Sequence, residues 1–71
     1  MAGTEGAGDR LSSARGRVAE ARSVVERQRR LIDALRASGS DTEDAERTLY
    51  ALVQTLTTLE GHLRSLCKSV Q

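Results

Sequence analysis

Along the second half of the chain, apolar residues recur at alternating steps of three and four: Leu49, Leu52, Leu56, Leu59, Leu63, Leu66 and Val70, with Ala45 extending the row backwards. The first half repeats the spacing through Leu11, Ala14, Val18, Ala21, Val25, Gln28, Ile32 and Leu35, broken only by Gln28. A 3-4 repeat places one narrow stripe on a single side of an α-helix, the seam that faces a partner helix in a coiled coil. The two rows therefore predict two helices, each turned towards the other.

Between them lies RASGSDTED, residues 36–44, where the repeat stops. Gly39 can adopt the left-handed conformation that ends a helix, and Ser40 with Glu43 three residues later forms a candidate capping box. Asp41, Glu43, Asp44 and Glu46 fall in the first turns of the second helix and Arg36 in the last turn of the first, as the helix macrodipole favours. The expected layout is a flexible tail over 1–8 and a hairpin over 9–71, with helix 9–37, turn 38–41 and helix 41–69. Such a short connection makes the helices antiparallel neighbours. The fold class is all-α: an antiparallel two-helix hairpin, coiled-coil-like, expected to dimerise into a four-helix bundle.

The seams also fix a register. Ile32 faces Ala45, Gln28 faces Leu49, Val25 faces Leu52, Ala21 faces Leu56, Val18 faces Leu59, Ala14 faces Leu63 and Leu11 faces Leu66. Small residues of the first arm meet large ones of the second. Gln28 puts a polar group into the seam; it either fixes register or oligomeric state at a cost in stability, or snorkels to solvent.

Composition narrows the class without changing it. With no Pro, Trp or Phe and a single Tyr, the bulky material of a strand-rich core is absent, while Ala, Leu, Arg, Glu and Gln favour helix. A chain of 71 residues buries only about 60% of its unfolded surface and is marginally stable alone. No apolar stretch approaches the roughly 18 residues of a membrane span, and MAGTEGAGD has neither the basic nor the apolar region of a signal peptide. The expected location is the cytoplasm. An interfacial membrane helix fits poorly too, because Trp and Phe anchors are missing.

The charge is uneven. Residues 10–37 carry eight arginines against Glu20, Glu26 and Asp33, whereas residues 41–71 carry five acids against Arg47, Arg64 and Lys68. Arg15, Arg22, Arg29 and Arg36 recur every seventh residue beside the first seam. In the deduced register Arg29 comes opposite Glu46 and Arg15 opposite Glu60, with Arg22 facing Val53, so the row reads as flanking ion pairs. The competing reading is a basic stripe for nucleic acid or another partner, disfavoured by the interspersed acids and the lack of aromatics for base stacking.

No catalytic chemistry is legible. His62 has no Cys, Asp or Glu at helical metal-ligand spacing, Cys67 is alone and reads as a small apolar filler, and GTEGAG lacks the strand that precedes a nucleotide-binding turn. Neither a nucleophile elbow nor paired carboxylates occur, and a two-helix hairpin offers little concavity for a small molecule. The sequence is thus read as non-enzymatic, with no catalytic residue, cofactor, metal or small-molecule substrate. Its expected partners are a second copy of itself, as a dimer, and a helical protein. Val24 and Leu31, seven apart, form a second apolar strip beside Thr48 and Thr55, and these four with Gln28 are the expected interface. Gly16 and Gly61 lie level on the outer faces without an assigned role.

The run QRRLIDALRASGSDTEDAERTLYALVQTLTTLEGHL, residues 28–63, resembles short two-helix proteins and terminal segments of proteobacteria, a group without an agreed function; the turn GSDT followed by AE carries the likeness. The resemblance implies a helical hairpin in a bacterial cytosol and transfers no catalytic residue. In architecture the chain is also similar to the Rop-type repressor of primer, whose hairpins dimerise into an RNA-binding four-helix bundle. The aromatic of that family's RNA face has no counterpart matched here.

Overall fold

The computed structural model describes the backbone of residues 2–70 and the side chains of residues 9–69. It contains two helices, α1 (Ala2–Ala37) and α2 (Glu43–Val70), packed on each other as a hairpin. The all-α hairpin expected from the heptad rows is therefore the fold. Among the described residues no helix is long and apolar enough to cross a membrane.

The ends of the helices differ from expectation, each for a local reason. α1 begins at Ala2, so residues 2–8, expected as a flexible tail, continue its backbone. Once a helix is nucleated, each added residue brings a backbone hydrogen bond, and no proline interrupts the extension. At its other end Gly39 sits at φ 75°. Gly39 N–H donates to the Arg36 carbonyl at 3.0 Å and Ser40 N–H to the Leu35 carbonyl at 2.8 Å, the paired bonds of a Schellman cap. Ser40 is thereby committed to ending α1 and does not form the expected capping box with Glu43. The cap of α2 comes instead from Asp41, whose Oδ1 accepts the Glu43 N–H at 3.1 Å, and α2 starts at Glu43, two residues later than expected. The turn accordingly spans 38–42.

Every residue of both seams from Leu11 to Leu66 is buried or half-buried. Among the described residues the buried ones are Val18, Val25 and Ile32, spaced by sevens on α1. In the register Val25 and Val18 face Leu52 and Leu59 while Ile32 faces Ala45, and the leucines of α2, two of which face only Ala21 and Ala14, are themselves half-exposed. The core is thus a single line of side chains between two rods. The chain exposes 5464 Å², against about 4,300 Å² for a compact monomer of its mass. Its radius of gyration is 16.5 Å, where a compact domain of this length has about 11 Å.

Candidate interaction surface

The two flanks of the seam are built differently. On one, the arginine row of α1 stands beside Glu46, Val53, Glu60 and Cys67 of α2. Arg22 Nη2 donates to Glu60 Oε2 at 3.0 Å and Arg36 Nη2 to Glu46 Oε2 at 2.6 Å. The sequence led us to expect Arg15 with Glu60 and Arg29 with Glu46; the structure places each glutamate with the next arginine towards the turn. Arg29 instead approaches Glu26 of its own helix at 3.5 Å.

The cause is side-chain direction. Helical side chains lean towards their own N-terminus, and in an antiparallel pair these directions are opposed. Arg22 and Glu60 are offset by about 7.5 Å along the axes in the heptad register but lean towards each other, whereas Arg15 and Glu60 start closer and lean apart. The observed pairs therefore belong to the deduced register and correct only the choice between its two flanking combinations.

Gln28, left open between two roles, reaches across the seam. Its Nε2 donates to the Ala45 carbonyl at 2.9 Å in a part-buried bond. Ala45 is small enough to leave that carbonyl within reach. No buried side-chain nitrogen or oxygen among the described residues is without a hydrogen-bond partner.

On the other flank α1 presents Ala14 and Ala21 where bulkier seam residues would close the side, and an open groove results. Its distal part is lined by Asp9, Arg10, Ser13, Ala14, Arg17, Leu59, His62 and Leu66. A part nearer the turn is lined by Arg17, Glu20, Ala21, Val24, Leu52, Thr55 and Leu59. Arg17 and Leu59 border both, so the two depressions adjoin. Of the expected interface residues, Val24 and Thr55 line it. Leu31 and Thr48 sit one heptad nearer the turn on the same flank, exposed, with Leu31 47% accessible.

The groove is easier to cover than its composition suggests. Thr55 Oγ1, which lines it, donates to the Ala51 carbonyl at 3.1 Å. Hydroxyls satisfied inside their own helix can be buried by an incoming surface without losing a hydrogen bond.

Two features of the surface were missed in the sequence. The groove itself follows from Ala14 and Ala21 recurring seven apart opposite leucines, a signal legible once flank and seam are considered together. Tyr50, 63% exposed, had been counted only as composition. It shares a shallow depression with Glu46, Leu49, Val53 and Gln54, next to the Arg36–Glu46 pair. Cys67 is a half-buried free thiol. Compared with known proteins, the chain matches no family model, no curated protein and no solved structure.

Proposed function

We propose that the protein is a non-enzymatic interaction module, a cytoplasmic scaffold or regulator that works by self-association of its hairpin into a dimeric four-helix bundle. The observation that carries this reading is the uncovered groove between Ala14, Ala21, Val24 and the leucines of α2. It accounts for part of an exposed surface about 1,100 Å² larger than a compact monomer needs, and a standard interface takes about 800 Å² from each partner. A single line of three buried residues among the described ones is a small core for a chain of this length, and covering the groove adds a second one. At about 25 cal/mol per Å², a few hundred Å² of apolar burial per chain supplies several kcal/mol.

Sedimentation equilibrium of the wild type beside a Val24→Glu, Leu31→Glu variant tests the proposal. A dimer at tens of micromolar that the variant dissociates is the expected result. A wild type that remains helical and monomeric at that concentration overturns it, as does a variant that dimerises unchanged.

A second reading takes the arginine flank as a nucleic-acid surface, and one observation favours it: Tyr50 supplies an exposed aromatic beside that flank. Against it, Arg22 and Arg36 are held by glutamates of α2 and Arg29 approaches Glu26, leaving few guanidinium groups to meet phosphates.

A further inference from the structure

At the open end of the hairpin the distal depression encloses about 340 Å³, a volume at the lower end of small-molecule sites. Its two walls are built alike and differ in chemistry. α1 contributes Arg10, Ser13 and Arg17 and α2 contributes Leu59, His62 and Leu66, each set spaced by three and then four residues and so on one face of its helix. One wall is polar, the other apolar around a single imidazole. Ala14 lies between them, too small to fill the space that a larger seam residue would take.

The polar groups of this lining are unengaged. Among the described residues neither Arg10, Arg17 nor His62 lies within ion-pair distance of a carboxylate, although Asp9 shares the lining and Glu20 follows Arg17 by one turn. Ser13 stands apart from the hydroxyl residues of α2. Thr55, Thr57, Thr58 and Ser69 each donate to the carbonyl four residues back, whereas the Ser13 hydroxyl makes no such bond among the described residues.

We propose that this depression binds a free amphiphilic anion, an oxyanion such as a phosphomonoester carried on a short aliphatic chain. Helical side chains lean towards their own N-terminus, which carries the Arg17 guanidinium over Ser13 and Ala14. In the hairpin register His62 comes level with Arg15, so its ring stands beside the same stretch from α2. Arg17, Ser13 and His62 thus offer a guanidinium, a hydroxyl and an imidazole to one oxyanion, the guanidinium bond being charge-assisted. Leu59 and Leu66 give the chain an apolar wall about 10 Å long. Asp9 lies about 12 Å from Arg17 along α1 and adjoins Arg10 instead. It tempers the outer end of the site and leaves the Arg17 end positive. A cation would find one carboxylate against two guanidinium groups, so the ligand is anionic. The site goes beyond the dimer reading and is independent of it, because Val24, Leu31, Thr48 and Thr55 lie outside this lining.

An NMR titration with octyl phosphate, kept below its micelle concentration, tests the site. Shifts concentrated at Ala14, Arg17, Leu59, His62 and Leu66 are the expected result, with octanol, inorganic phosphate and octyltrimethylammonium each binding at least about tenfold more weakly. Arg17→Gln should weaken octyl phosphate by about tenfold and Arg10→Gln by less, while Asp9→Asn should leave binding as tight or tighter. Shifts scattered over both helices, equal binding of the cationic amphiphile, or an Arg17→Gln variant that binds unchanged overturns the proposal. Flotation with vesicles containing phosphatidic acid separates the two sources of such a group. The protein is expected to stay in solution, and flotation that Arg17→Gln abolishes overturns the free ligand in favour of a lipid surface. Repeating the titration on the Val24→Glu, Leu31→Glu variant separates the site from the dimer: binding that persists there supports a site within one hairpin whatever oligomer forms, and binding lost there overturns it.

Discussion

The side-chain amide of Gln28 on α1 donates to the main-chain carbonyl of Ala45 on α2 across 2.9 Å, joining the arms through a polar contact in an otherwise apolar seam. The acceptor belongs to a helix and also lies in position to take its own i+4 amide, so losing Gln28 strands no carbonyl. Gln28→Ala should therefore cost about 1 kcal/mol for the bond, plus a smaller packing loss. For a domain of this size that lowers the melting temperature by roughly 5–8 °C. Gln28→Leu exchanges the bond for apolar burial of similar worth and should melt within a few degrees of the wild type. Circular dichroism melts of both variants check this. An unchanged Gln28→Ala melt would place the amide in solvent.

The inter-helix ion pairs give a test of register. Arg22 and Glu60 are 62% and 35% exposed at their side chains, which keeps the pair weak. A double-mutant cycle on Arg22→Ala and Glu60→Ala should give a coupling of about 0.2–1 kcal/mol, falling with added salt. The same cycle on Arg15 and Glu60 should give none. Coupling in the second cycle and not the first would shift the contact by a heptad.

The class, the two arms and the register of this fold are written in the 3-4 spacing, because a one-residue slip would expose Leu49 to Leu66 as a row. Helix ends are written more faintly. Ser40 and Asp41 are both good caps in isolation, and the choice between them was made by the end of the preceding helix, where the Schellman cap takes the Ser40 N–H. The ion pairs failed for a similar reason: residue spacing gives position along the axis but not the lean of the side chain. For the candidate surface, Val24 and Thr55 were legible as a strip. The groove behind them depended on what Ala14 and Ala21 leave unfilled, which a list of apolar residues does not display.

The arginine flank yields an expectation about nucleic acid. Guanidinium groups already neutralised by glutamates release few counterions, so binding that depends on them should be weak. In a gel shift with mixed RNA and DNA, the wild type should show no mobility change even at low salt. A shift at about 50 mM salt that disappears by about 200 mM, and that Tyr50→Ala and Arg29→Ala weaken, would restore the nucleic-acid reading.

Gly16 on α1 and Gly61 on α2 offer a test of which faces are outer ones. A Cβ built at either position meets nothing within 4 Å, and both residues are exposed inside continuous helix. Neither has the positive φ that Gly39 shows. Glycine at such a site loses more backbone entropy on folding than alanine, by about 0.8–1 kcal/mol, and gains nothing from its missing side chain. Gly16→Ala and Gly61→Ala should therefore each raise the melting temperature by several degrees, and because the sites share no partner their effects should add. Neither glycine borders the groove, so the dimer dissociation constant should stay where it is while the helices stabilise. Thermal melts together with sedimentation equilibrium separate the two effects. A gain in stability accompanied by loss of the dimer would mean that a partner's backbone approaches these glycines closely, and would move the interface from the groove to the outer face.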